Sequence, residues 1–558
     1  MKSTSTSAID APRLLATLAP AQRLTAQTAL AAVLAFLPWL NPFAPGPSAS
    51  VGPWLVSAAC GIGLGMVAVA RGGRPSPGLL LLTAVAAAWA AMVTGARPEV
   101  AMLAGGLLLV AIASAVPADE GCGSLARALQ WAWLTAAALS AVIALLQYFG
   151  FAEAMHPWFN AAQLGEAYGN LRQPNLFASL CSLGIAVLLW GGLRLRLSLS
   201  VVLMVLLAAA SAASVSRTGA VQAIVLALLA AWWRGPDRRR RLLLCAIGAA
   251  AYLLASWALP SLLELATGVA PERTLWGRIS GGASCSSRTV LWSNVLHLIA
   301  QRPLAGWGWG ELDFAHFETL YPGARFCDIL DNAHNLPLHL AVELGVPVAL
   351  AICAIALYGA CKLRPWAEQS PLRQLAWALL AIIALHSLLE YPLWYGPFQL
   401  VFGVACGWLL PRAGPVPDRR NTAWFTTLGI LLAVTAYAAW DYARVSQIYL
   451  VPEQRRAAWR DDTLSHVRRS WLFSGQAGFA DLTLQEVTQA TAPRVYFLAE
   501  GSLHYSPEPR VIERLIESET LLGRSDAAVL DLARFRAAFP RDYETWRGAV
   551  RLPLPRAP

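Results

Sequence analysis

Between residues 24 and 443 the chain returns repeatedly to apolar stretches long enough to cross a hydrocarbon core of about 30 Å. Inside a bilayer the backbone finds no water to hydrogen-bond, so each stretch must be a helix that satisfies its own amide groups. Spans are predicted at 24–40, 52–70, 78–95, 99–117, 128–149, 174–192, 198–213, 219–233, 242–262, 335–359, 373–390, 396–411 and 423–443, roughly thirteen helices. A residue content that is 57% hydrophobic, with a mean hydropathy of +0.50, excludes an ordinary soluble domain. The expected fold is an all-α, polytopic transmembrane helix bundle.

A formal charge of +10 would suit a nucleic-acid partner, but the basic residues fall in alternate loops. With the N-terminus cytoplasmic, the inner loops hold Arg71 and Arg74, then Arg194 and Arg196, then Arg234 with Arg238, Arg239, Arg240 and Arg241, then Lys362 and Arg364, then Arg412, Arg419 and Arg420. Arginine and lysine retained on the cytoplasmic side explain the charge through topology, and no nucleic acid is implied. An odd number of spans then delivers the C-terminus to the outer side. Residues 1–23 read as a cytoplasmic segment without a cleavable signal, so the first span is expected to act as an anchor.

Three outer segments stand out: 150–173, the long loop 263–334, and everything after 445. The loop carries a helical pattern from Arg288 to Ala300, then the turn-rich run RPLAGWGWGELD. After residue 446 charged and apolar residues alternate at helical spacing in IERLIESETLLGRSDAAVLDLARFRAAFP, predicting paired amphipathic helices of tetratricopeptide type. The domains are therefore 1–23, a membrane domain 24–445 and a helical domain 446–558. Most of the nine cysteines lie inside apolar spans as small packing residues. Cys285 and Cys327 instead share the long outer loop, where an oxidising compartment would join them as a disulfide; the alternative is two unrelated thiols.

Polar residues at a membrane edge are costly, so they are candidates for function. Four groups qualify, all on the outer side. In GNLRQPNLFASL, Arg172, Gln173 and Asn175 stand at a span entrance; a helix cap explains Pro174 but not Arg172. In SAASVSRTG, Arg217 lies where topology disfavours arginine, and a fixed guanidinium there suits a phosphate or pyrophosphate; the alternative is an arginine snorkelling to lipid headgroups. In DNAHNLPLHLAVELG, His334 is expected in the first helical turn, where the helix dipole favours a neutral ring able to accept a proton. His339 lies about 140° away around that helix, so no metal site is predicted. In HSLLEYPLWYG, His386, Glu390, Tyr391 and Tyr395 are polar handles in a short turn, although aromatic residues there also suit a lipid interface.

In combination, GNLRQPN, SxSRTG, RxxLW with RPLxGxGxGE, DNAHN and HSLLEYPLW resemble the bacterial protein O-oligosaccharyltransferases of the pilin-glycosylation ligase type. The resemblance covers residues 150 to 410, and the segment beyond looks like an extra domain such ligases carry. It implies an O-antigen ligase-like bundle in the bacterial inner membrane, with its site on the periplasmic face. It also implies an undecaprenyl pyrophosphate-linked oligosaccharide as donor and a periplasmic protein such as pilin as acceptor. No cofactor is implied. His334 would take the proton of an acceptor hydroxyl, and Arg217, with Arg172 and Arg288, would hold the pyrophosphate. Gln173, Asn175, Glu390, Tyr391 and Tyr395 would orient donor or base. The same superfamily contains O-antigen ligases and polymerases, whose acceptors are lipid-linked, so the acceptor stays open. A transporter would show internal repeats and a polar path through the core, and neither is seen. A scaffold acting through its C-terminal helices would be indifferent to changes at the four groups.

Overall fold

The computed structural model describes residues 20–118, 123–271, 285–411 and 419–550. The N-terminal segment through residue 19 and the loop arginine Arg412 therefore lie outside the described residues. Apolar helices follow one another as α1 (Pro20–Leu40), α2 (Val51–Ala70), α3 (Pro77–Thr94), α4 (Pro98–Ala113), α5 (Gly123–Tyr148), α6 (Pro174–Trp190), α7 (Leu197–Ala213), α8 (Arg217–Trp232) and α9 (Arg238–Thr267). Among the described residues, six helices are long and apolar enough to cross a membrane, and shorter apolar helices stand beside them. The bundle core is built from Leu125, Leu129, Phe177, Leu180, Leu379, Ile382 and Phe398, all fully buried. The outward faces stay apolar too: Trp257, Leu350 and Leu357 are exposed with no protein neighbour to cover them. A belt of that kind is what a multi-pass helical membrane protein presents to lipid.

Hydrogen bonds define two ends of the bundle. At one, Arg71 reaches the Leu24 carbonyl at 2.5 Å, Arg240 the Leu195 carbonyl at 2.9 Å, and the Trp233 indole the Pro365 carbonyl at 2.7 Å. Arginine-bearing turns are thus tied in pairs to neighbouring segments. At the other end Asn170 donates to the Leu40 carbonyl at 2.9 Å and the Trp309 amide to Thr94 Oγ1 at 2.7 Å. The segment around residue 160, the turns at 215 and 390, and the long loop all meet at this second end.

Within the long loop, α10 (Arg288–Gln301) and α11 (Leu312–Glu318) precede α12 (Leu336–Leu344). Sequence analysis merged α12 with the following span at 335–359, and the structure corrects this: the helix breaks at Gly345 and restarts as α13 (Val346–Leu363). The cause is a backbone contact. Gly345 has φ +90°, and a Cβ there would sit 2.1 Å from the Leu304 carbonyl oxygen. Gly306 (φ +72°) faces the Glu343 backbone as closely, so the GWGWG run packs against the end of α12. There Trp307 and Gly308 donate to the carbonyls of Val342 and Glu343 at 2.8 and 3.0 Å. The tight, glycine-rich wording of that run is thus a packing requirement.

Helices α14 (Pro371–Ser387), α15 (Gly396–Leu409) and α16 (Arg419–Val445) complete the apolar set. Beyond them the chain forms α17 (Ala457–Arg460), α18 (Thr463–Val467), α19 (Ser474–Leu484), α20 (Ala492–Leu503), α21 (Pro509–Leu521), α22 (Ser525–Ala538) and α23 (Pro540–Ala549). Their core of Val495, Ile512, Ile516, Leu532 and Phe535 also takes in Phe317 of α11. His504 Nδ1 lies 2.5 Å from Glu311, which also pairs with Arg97, and Arg534 meets Glu318 at 3.2 Å. The C-terminal helices are therefore anchored to the loop that borders the site.

Candidate active site

Glu390 is the hub of the second end. It lies in the turn between α14 and α15, where its amide donates to the His386 carbonyl at 2.8 Å. Its Oε2 is 2.7 Å from His334 Nδ1, and its Oε1 accepts from Arg288 at 2.5 Å and from Asn175 at 3.1 Å. Burial would push the carboxyl up, but the hydrogen bond from His334 and the charge of Arg288 outweigh it, and the group is held below its ordinary range. Glu390 is therefore an ionised acceptor, and the Nδ1 facing it is assigned the proton. That leaves His334 Nε2 as the ring's free lone pair, with no hydrogen-bond partner among the described residues. The Glu390 side chain is 9% exposed and that of His334 27%, so the carboxylate is shielded while the imidazole remains reachable.

His334 does not occupy the first turn of a helix, as the sequence suggested. Asn335 is the N-cap of α12, its side chain accepting from the Leu338 amide at 3.2 Å, and His334 precedes it with φ +50°. A left-handed conformation is costly for a histidine. Asn332 holds it there by accepting from the His334 amide at 2.9 Å. The ring is thus oriented by Glu390 below and by Tyr391 at its edge, with ring centroids 5.2 Å apart, in place of the helix dipole. Tyr391 stacks on Tyr395 with centroids 6.1 Å apart. Burial, with the neighbouring Tyr395 and the Asp331 and Glu390 carboxylates, raises the Tyr391 phenol well above its usual range, so it remains a neutral donor.

Asn175 links this hub to the α8 start. Its Oδ1 accepts from Ser216 Oγ at 2.6 Å, and Ser216 in turn caps α8 by accepting from the Gly219 amide at 3.1 Å. Arg217 is the next residue, the first of α8, and it is exposed. Helix capping at α6 falls to Gln173, whose Oε1 accepts from the Leu176 amide at 2.6 Å; this frees Asn175 to bridge Glu390 and Ser216. Gln173 is consequently a cap and, among the described contacts, points at no other site residue. Arg172 sits in a left-handed turn (φ +59°) and bonds the Pro42 carbonyl and, at 3.2 Å, Asn160 Oδ1. Burial lowers its guanidinium from a value so high that it stays charged. Arg288, first residue of α10, lies against Glu390 and also donates to the Leu389 carbonyl at 2.7 Å. Cys285 and Cys327 are joined, with Cα atoms 5.5 Å apart, and tie the start of α10 to the far wall of the loop.

Sequence reasoning missed several contributors. Gln147, buried in α5, accepts from the Gly169 amide at 2.7 Å and donates to the Gly169 and Asn160 carbonyls at 2.9 Å, so it fixes the segment carrying Arg172. Ser179 and Gln222 were missed as well: beneath Glu390, His386, one of the polar handles named from the sequence, has its Nδ1 2.8 Å from Ser179 Oγ, to which Gln222 donates at 2.7 Å. Polar residues in the middle of apolar spans were the available signal.

The bundle and its cluster define a helical membrane protein with a histidine, a carboxylate and arginines gathered at one face. Three family models match along the chain: residues 167–190 match the protein glycosylation ligase family, 202–353 the O-antigen ligase family, and 374–552 the C-terminal part of the virulence factor membrane-bound polymerases. The "ComP-specific O-oligosaccharyltransferase" of Acinetobacter baylyi is 24% identical over 294 residues, 52% of each chain. The "General O-oligosaccharyltransferase" of the same organism is 25% identical over 333 residues, 57% of each chain. The chain spans somewhat more than half the length of these curated relatives. Over these separate segments the chain is similar to O-antigen ligases and to protein glycosylation ligases, and over about half its length to the two O-oligosaccharyltransferases.

Proposed function

We propose that this protein transfers a preassembled glycan from undecaprenyl pyrophosphate to serine or threonine hydroxyls of periplasmic proteins such as pilin. In this reading the roughly thirteen apolar helices all cross the bacterial inner membrane, the arginine-rich end faces the cytoplasm, and the cluster around Glu390 and the tetratricopeptide-like domain 446–558 face the periplasm. One observation carries it: a continuous hydrogen-bonded chain, Ser216 to Asn175 to Glu390 to His334 Nδ1, that links the start of the helix bearing Arg217 to the imidazole.

In the reaction, the acceptor oxygen attacks the anomeric carbon as its proton passes to His334 Nε2, with Glu390 stabilising the imidazolium that forms. The bond from that carbon to the pyrophosphate oxygen breaks, the electron pair leaves on the diphosphate, and the carbon inverts. Arg217, exposed at a helix start, meets the growing charge, with Arg172 beside the segment at 160. Arg288 holds Glu390 and through it the base, and Tyr391 and Tyr395 wall the ring. The likeness to O-antigen ligases and polymerases over 202–353 and 374–552 favours a second reading, a lipid-linked acceptor. Mass spectrometry of pilin and periplasmic proteins from cells with and without the gene decides: glycan on serine or threonine peptides supports the first, altered lipopolysaccharide alone the second.

A further inference from the structure

A cleft of about 320 Å³ opens along the side of α10, between that helix and the turn at residues 321–324. Thr289, Ser293 and His297 line it at four-residue spacing, so they share one helix face. Neither hydroxyl has a hydrogen-bond partner among the described residues, and both residues are exposed. Opposite stands Tyr321, whose ring centroid is 5.4 Å from that of His297 and whose hydroxyl is fixed 2.8 Å from His316 Nδ1. The far wall is held independently: Asn294 donates to the Ala324 carbonyl at 2.9 Å and accepts from the Phe326 amide at 2.8 Å, and the Cys285–Cys327 bridge closes the same loop onto the start of α10. The cleft is therefore preformed, rigid, and furnished with free hydroxyls beside an aromatic ring.

Its position relative to the cluster is fixed by the same helix. Arg288, adjacent to Thr289, bonds Glu390, and the Trp292 indole donates to the carbonyl of Ala333 at 3.0 Å, immediately before His334. We propose that this cleft binds the sugar units of the lipid-linked donor that lie beyond the one attached to pyrophosphate. Hydroxyl-rich rings match free Thr289 and Ser293 hydroxyls and a fixed tyrosine. The walls here are a helix and a turn, which offer no strand edge for main-chain pairing with an extended peptide. The inference rests on the glycan-transfer reading above and adds to it a means of recognising glycan length.

The test uses full-length protein in detergent, Ser293→Trp to fill the cleft, and the double variant Ser293→Ala, His297→Ala to strip it without bulk. Saturation-transfer NMR reads binding of a free pentasaccharide. Transfer is compared between undecaprenyl pyrophosphate bearing a pentasaccharide and one bearing a single sugar. Expected are loss of pentasaccharide binding in both cleft variants but not in His334→Ala, and a loss of roughly tenfold in kcat/KM for the pentasaccharide donor with the single-sugar donor unchanged. Pentasaccharide binding by wild type that the cleft variants leave intact overturns the proposal, as does a rise in acceptor-peptide KM with unchanged donor selectivity, which would give the cleft to the peptide. Pentasaccharide binding that depends on Ser293 in a protein transferring neither glycan would instead sink the transfer reading while keeping the sugar site.

Discussion

Replacing Glu390 by glutamine keeps the side chain's shape and alters one property: two equivalent acceptors become one acceptor and one donor. The carboxylate now accepts from His334 on one oxygen and from Arg288 and Asn175 on the other. The amide oxygen of glutamine can serve only one side. If it stays with Arg288 and Asn175, the amide nitrogen faces His334 Nδ1, which must then become the acceptor, and the ring proton moves to Nε2. That is the tautomer unable to take a proton from an acceptor hydroxyl. In the serine-protease triad the equivalent change costs about ten-thousandfold. Here the imidazole is more exposed, and a loss of about a thousandfold in kcat, about 4 kcal/mol of barrier, is expected. Initial rates of glycan transfer to a serine-containing acceptor peptide measure it, with donor KM within a few-fold of wild type and thermal unfolding as a folding control. A Glu390→Gln protein that is folded and turns over within threefold of wild type would refute the assignment of Glu390 as the group that orients the base.

Other outcomes follow from the same geometry. Gly345→Ala places a Cβ 2.1 Å from the Leu304 carbonyl oxygen at φ +90°, so the melting temperature should fall by several degrees and transfer should fall with it. Cys285→Ser with Cys327→Ser should destabilise the loop by about 2–4 kcal/mol, read as earlier proteolysis between residues 285 and 327. In the C-terminal helices, burial and then Asp531 raise Glu519 to about 8. The folded state thus holds a proton that the unfolded chain releases near its ordinary value, and stability should decline between about pH 4.5 and 8, by at most about 1.4 kcal/mol per unit. Unfolding of the full chain followed at α21 should show that slope, and Glu519→Gln should flatten it. Ser216→Ala removes the α8 cap and the contact to Asn175; a cap alone costs about 1 kcal/mol, and a tenfold or larger drop in transfer at unchanged folding is expected from the lost alignment.

Helix positions were legible because length and hydropathy are local properties of the chain. Each predicted span before 263 coincides with a helix to within a few residues. The error at 335–359 arose because Gly345 reads as an ordinary helical glycine until Leu304, far away in sequence, is seen to press on it. The same limit affected the site. The four groups named from sequence do converge, since edge polarity is visible residue by residue, but which of Gln173 and Asn175 would cap and which would bridge depends on Glu390 and Ser216. His334 was placed inside the helix, although it lies just before the N-cap, because its backbone is set by Asn332 and its ring by Glu390, neither of which alters the helical pattern that follows. The contacts that Ser179 makes with Gln222 and with His386 were invisible for the opposite reason: Ser179 and Gln222 are lone polar residues in apolar spans, and only packing brings them to the histidine.

The proposed transfer requires the His334 imidazole as base and the Arg217 guanidinium to receive the leaving diphosphate. Purified protein incubated with undecaprenyl pyrophosphate-linked oligosaccharide and a serine-containing acceptor peptide tests this directly, with the peptide's mass as the readout. Wild type should add the whole glycan mass in one step, while His334→Ala and Arg217→Ala, both folded, should leave the peptide unmodified. Full glycosylation by His334→Ala, or a wild-type protein that never modifies the peptide under conditions where it consumes the donor, would contradict it.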